Sequence, residues 1–109
     1  MTNITVKKEL GSIVQVRCFG HAGYADAGED IVCAAISSIV QCALLGLLNV
    51  AQINVKFHRN EEEGSLTFTL PDGLSDRQRH DADVVLNTML CGLSDLYQEY
   101  SDYLELEVE

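Results

Sequence analysis

Residues 31–55 carry no charged side chain, and a run of that length leaves few options for the fold. A segment this apolar either crosses a bilayer core or packs inside a protein. Ser37, Ser38, Gln41, Asn49, Gln52 and Asn54 interrupt it, and no basic cluster flanks it closely on both sides. Strand-like segments lie before and after it. The run is therefore read as the fully buried central helix of a mixed α and β core, with no membrane partner.

The flanks supply the remaining order. Residues 3–9 alternate with Ile4 and Val6 on one face, and Gly11 permits a tight turn into a second strand over 12–19. There, Val14, Val16 and Cys18 share the inward face, opposite Gln15 and Arg17. The long helix should begin near Glu29 and Asp30 and end near Leu48 or Asn49. Residues 54–59 and 65–70 then alternate around a polar turn over 60–64, where Glu61, Glu62 and Glu63 read as solvated. Pro71, Asp72 and Gly73 break the chain. Ser75-Asp76-Arg77-Gln78 resembles a capping box, and Ala82, Val85, Leu86, Met89, Leu93, Leu96 and Tyr100 repeat on one helical stripe. Tyr103, Leu104, Leu106 and Val108 lie among acids and predict a final strand at a sheet edge. The order ββαββαβ predicts an α+β fold, a mixed or antiparallel sheet with two packed helices. At 109 residues, one domain over 1–109 is expected.

Charge narrows the partners. Lys and Arg total 7 against 17 Asp and Glu, a formal charge of -10 that repels a phosphate backbone. No direct nucleic-acid partner is expected. The same charge suits a basic ligand, and solubility alone also explains it.

Four cysteines, Cys18, Cys33, Cys42 and Cys91, form no C-x-x-C pair, and residues 1–10 alternate rather than form a secretory leader. Reduced thiols in a cytoplasm are expected. Cys18 reads as core. Cys42, on the far side of the helix from Cys33, reads as a small buried hydrophobe, and Cys91 as a packing residue. His58 and His80 read as surface residues. A zinc site from Cys18, His21 and Cys33 lacks the usual paired ligand spacing, so neither a metal nor another cofactor is expected.

Cys33 differs from the other thiols because it falls near the start of the first helix, directly after a glycine-rich loop over 20–28 that reads as mobile. Unpaired N–H groups and the dipole at a helix start favour a thiolate, which is the nucleophilic form. Glu29 and Asp30 oppose this by like charge, and His21, at the other end of the loop, could supply the compensating cation. Asp30, Cys33 and Ser37 are related by helical steps of three and four, and Gln41 extends the line. Asp30 either caps the helix or orients the imidazole. Ser37 either supports a site or is a small residue at a close helix–sheet contact. The backbone N–H of Cys33 is among the donors expected to hold an oxyanion.

Gly20-His21-Ala22, followed by Gly28-Glu29-Asp30-Ile31-Val32-Cys33-Ala34-Ala35-Ile36-Ser37, resembles the signature of the bacterial ribosomal-processing cysteine protease family called Prp. Length, acidity and element order extend the likeness over nearly the whole chain. The resemblance implies a homodimeric cytosolic peptidase that removes a short N-terminal extension from the large-subunit ribosomal protein numbered twenty-seven, cutting after an aromatic residue. By the same resemblance His21 matches the catalytic histidine, Cys33 the nucleophile, and Asp30 and Ser37 the supporting polar positions. Gly20, Gly23, Tyr24 and Gly28 match a loop that admits and covers the peptide. Ile36 stands where Val is frequent in related chains. A reading from another class keeps His21 and Cys33 structural and makes the chain a non-enzymatic acidic module that shields a basic ribosomal protein during assembly.

Overall fold

Alternating β-branched residues build the N-terminal hairpin of the computed structural model, which describes residues 1–21, 25 and 30–109. Strand β1 (Thr2–Glu9) pairs antiparallel with β2 (Ser12–Phe19), and the Glu9–Ser12 pair closes a two-residue turn. Both turn residues have positive φ, Leu10 at 52° and Gly11 at 83°. That pattern matches the right-handed twist of the flanking strands, and Asn-Gly is its preferred sequence. Leu10 is wholly exposed, so its side chain offsets none of the left-handed strain. Leu10→Asn is expected to stabilise the protein by about 1 kcal/mol. Thermal unfolding checks this, and a melting temperature at or below that of the wild type would contradict it.

A bulge corrects the predicted faces of β2. Lys7 pairs with Gln15 but Lys8 pairs with Ile13, which leaves Val14 as the extra residue. Ile13 and Val16 are therefore both buried while Val14 is half-buried, instead of sharing the inward face with Val16 and Cys18.

Helix α1 (Ile31–Leu45) follows, and a π-helical turn, Gly46–Val50, carries it on to about the end predicted. Strands β3 (Lys56–Asn60) and β4 (Ser65–Thr69) form the second hairpin, with β3 starting slightly later than the alternation suggested. Helix α2 (Asp76–Tyr100) begins at the predicted capping box, in which Ser75 Oγ accepts from Gln78 N–H and Gln78 Oε1 accepts from Ser75 N–H. Strand β5 (Leu104–Val108) ends the order.

The sheet runs β3-β4-β2-β1-β5 and is mixed: β5 lies parallel to β1 at one edge, and every other pair is antiparallel. Strands β4 and β5 point the same way, so their connection must cross the sheet, and α2 provides that crossing. Ile4, Val6, Val16, Phe68 and Leu104 from the sheet pack with Val32, Ile36 and Val40 of α1 and Ala82, Leu86 and Leu93 of α2 in one core.

The central helix is not buried all round, contrary to expectation. By length and composition alone, Ile31–Val50 is apolar enough to cross a membrane. Its inward stripe packs in the core, yet Ile31, Leu45 and Val50 are 56%, 55% and 81% exposed. The two helices lie beside each other, which leaves the outer sides of both uncovered. Cys42 and Cys91 are accordingly exposed, correcting the expectations of a buried and a packing thiol. Between the helices lies an open apolar groove of about 600 Å³ that includes Ile39, Cys42, Gly46, Val85 and Gly92.

Candidate active site

The end of β2 is held from both sides. Asn3 pairs with Phe19 on one flank and Leu66 with Cys18 on the other. Those registers, continued past the strand end, bring Gly20 between the first residues of β1 and the turn of the β3–β4 hairpin. Gly20 has a φ of +91°, and a Cβ there would stand 2.7 Å from the Met1 carbonyl oxygen. Only glycine satisfies both constraints. His21 follows it and is exposed.

Helix α1 starts opposite. Asp30 is its N-cap, and Asp30 Oδ1 accepts from the N–H groups of Val32 at 3.0 Å and Cys33 at 2.9 Å. The Asp30 carbonyl accepts from Ala34 N–H at 3.1 Å. The cap seats Cys33 in the first helical turn. It also engages the Cys33 N–H, which corrects the expectation that this group stands ready for an oxyanion.

One cavity of about 300 Å³ joins these parts. His21, Cys33, Ser37 and Gln41 line it, so three of the four positions of the predicted helix line share a space with the histidine, while Asp30 caps the helix and is not part of the lining. Gln41 Nε2 donates to Ser37 Oγ at 3.0 Å, which turns two of the predicted polar positions into one coupled pair. Thr2 and Cys18 reach the cavity from the sheet, and Arg59, Glu61 and Gly64 from the β3–β4 hairpin. Thr2 Oγ1 is buried without a hydrogen-bond partner among the described residues. Arg59 and Glu61 form an exposed ion pair at 3.3 Å.

The second hairpin was expected from the sequence, but its place at this cavity was not. Its turn lies far from His21 along the chain, and nothing local marks their proximity. The available signal was the pattern of strand pairing, since an antiparallel β2–β4 ladder must end with the hairpin turn beside the end of β2. Gly23, Tyr24 and Gly28 of the expected substrate loop lie outside the described residues. His58 and His80 are on the surface as expected, with His80 at 3.5 Å from Asp81. No group of three metal-ligating side chains occurs among the described residues.

Cys18 is half-buried against the core and also borders this cavity. Burial, and secondarily the charge of nearby Cys33, push its thiol from 9.0 up to about 11. The folded state thus prefers the protonated thiol. The associated stability is fully present below pH 9 and is lost as pH rises towards 11, by roughly 2 kcal/mol for a shift of this size. Chemical denaturation at pH 8 and at pH 11 should show a smaller alkaline loss for Cys18→Ala than for the wild type. Equal losses would remove Cys18 as the cause.

A half-buried thiol in the first turn of a helix, sharing a cleft with an imidazole, is the equipment of a cysteine-dependent hydrolase. The chain belongs to the cysteine protease Prp family, whose model matches residues 1–105, and by that membership it is a cysteine protease. It is similar to the ribosomal processing cysteine protease Prp of Bacillus subtilis (strain 168), with 27% identity over 94 residues, 86% of this chain and 84% of that protein. It also resembles the protein of that name from Staphylococcus aureus (strain Mu50 / ATCC 700699), with 27% identity over 104 residues, 95% of this chain and 93% of the relative. The fold matches the crystal structure of the S. aureus ribosomal processing protease with a covalently linked product peptide at a TM-score of 0.88, with 22% identity and all of both chains covered. A structure from Streptococcus mutans matches at 0.84, with 22% identity over 99% of this chain and 93% of that one. Family membership sets the enzyme reading above that of an acidic binding module.

Proposed function

We propose that this chain acts as one cytoplasmic domain, residues 1–109, that cuts the N-terminal extension from the basic large-subunit ribosomal protein numbered twenty-seven, after an aromatic residue, with His21 and Cys33 as its dyad. The observation that carries this reading is the shared cavity, in which Cys33 on the α1 start and His21 beyond β2 border one space large enough to take a peptide side chain. The relatives from B. subtilis and S. aureus are named for ribosomal processing, which points to the same class of substrate.

In the proposed reaction His21 accepts the proton of Cys33 Sγ, and the sulfur attacks the scissile carbonyl carbon. The resulting imidazolium protonates the leaving amine as the C–N bond breaks, and water then hydrolyses the thioester. Asp30 fixes the position of Cys33 by capping α1, and the Gln41–Ser37 pair borders the space beside it. The charge of -10 attracts a basic ribosomal protein and discourages binding to RNA. At the cavity itself Glu61 is paired with Arg59, so this attraction belongs to the chain as a whole rather than to the cavity lining. The homodimer implied by the family resemblance has a candidate contact face in the open apolar groove between α1 and α2.

A synthetic peptide spanning the extension and the first mature residues, incubated with the protein and followed by mass spectrometry, tests the reading. A single cut after an aromatic residue is expected. An intact peptide, or cuts scattered along it, would refute the proposed substrate.

A further inference from the structure

We propose that Gly64, in the β3–β4 turn, is the seat of the His21 imidazole and positions it for proton transfer; this rests on the reading of His21 as the base of the dyad. The turn is built by its own bonds. Asn60 Oδ1 accepts from Glu63 N–H at 3.2 Å, and Gly64 N–H donates to the Glu61 carbonyl at 3.2 Å. Asn60 and Ser65 pair at its base. Gly64 leaves this turn with a φ of +63°, and its open face meets the histidine ring.

A Cβ on Gly64 would stand 2.9 Å from His21 Cε1 and 3.1 Å from His21 Nε2, with the Gly20 carbonyl oxygen also at 3.1 Å. A methyl group and the ring cannot both occupy that space. The ring is the end of an exposed side chain, so it can swing aside with little disturbance to the fold. The cost of a side chain at position 64 therefore falls chiefly on the placement of the imidazole, with a shift of a few tenths of an ångström at the Gly20 carbonyl that leads into His21. A displacement of about 1 Å at a reacting group is enough to lose around a hundredfold in rate.

The competing explanation is that position 64 needs glycine only for its left-handed backbone. Two other glycines separate these effects. Gly11 and Gly73 have φ of +83° and +75°, and a Cβ at either would meet nothing within 4 Å. Alanine at those sites imposes left-handed backbone strain at least as large, with no contact to the ring.

The experiment compares Gly64→Ala, Gly64→Asn, Gly11→Ala and Gly73→Ala, with His21→Ala as reference, by melting temperature, kcat, KM and the pH dependence of kcat/KM on the extension peptide. Both Gly64 variants are expected to lower kcat by about ten- to a hundredfold and to change the pH dependence of kcat/KM. Their melting temperatures should fall only slightly further than those of Gly11→Ala and Gly73→Ala, which keep kcat. Asn accepts left-handed backbone, so Gly64→Asn decides the matter if Gly64→Ala does not fold. If His21→Ala is inactive but the Gly64 variants lose no more kcat than the two controls, the seat is wrong and the dyad stands. Should His21→Ala cut as well as the wild type, both are wrong.

Discussion

Cys33→Ala is expected to lower kcat/KM for the extension peptide by about a thousandfold or more, with the peptide still bound. The reason is chemical: in the proposed reaction no thioester forms without Sγ, and the remaining groups can only hold the substrate. His21→Ala removes the proposed proton acceptor and should cost a similar factor. Because the proposed dyad acts as a unit, the double variant should be little worse than either alone. The fold should survive, since Cys33 is half-buried and His21 exposed. The other three thiols provide controls. Cys42 and Cys91 are exposed and do not line the cavity, so their alanine variants should cut normally. Cys18 borders the cavity, yet with its thiol at about 11 it should be alkylated slowly at neutral pH. Wild-type cutting by Cys33→Ala, measured by the same mass-spectrometric assay, would remove Cys33 as the nucleophile.

Gly20→Ala should give the largest loss of stability among substitutions near the site. Its φ of +91° is strained for any residue with a Cβ, and the methyl would meet the Met1 carbonyl oxygen at 2.7 Å. Backbone, unlike the end of a side chain, cannot turn away. The start of β1 would have to move, and its pairing with both β2 and β5 would move with it. The combined cost is on the order of 3 kcal/mol, which lowers the melting temperature by about 10–20 °C in a domain of this size. Activity should fall as well, because His21 is the next residue. Differential scanning calorimetry against Gly73→Ala, which carries the backbone strain alone, isolates the clash. Equal melting temperatures for the two would show that the close approach to Met1 has no energetic weight.

Most of the architecture was legible along the chain. The strand limits of the first hairpin, the Ser75–Gln78 capping box and the α2 stripe depend on neighbours within a few residues, where turn chemistry and periodicity act directly. The bulge at Val14 was not legible, because an extra residue in one strand shows only against its partner. Nor was the exposure of Cys42. An apolar helix reads the same whether its outer side is covered or open, and the position of α2 decides which.

The dyad with which the site reading began has the same division. Local order along the sequence determined that Cys33 would fall in the first turn of a helix and His21 at the end of a strand, with Ser37 and Gln41 on the thiol's side. The motif resemblance then assigned them roles. Only tertiary structure brought the β3–β4 turn to the cavity and put Gly64 against the imidazole, whereas the Asp30 cap on the Cys33 N–H is a local contact three residues along the chain. The physical reason is that sheet register brings residues together across long stretches of chain, through backbone pairing that no single segment encodes by itself.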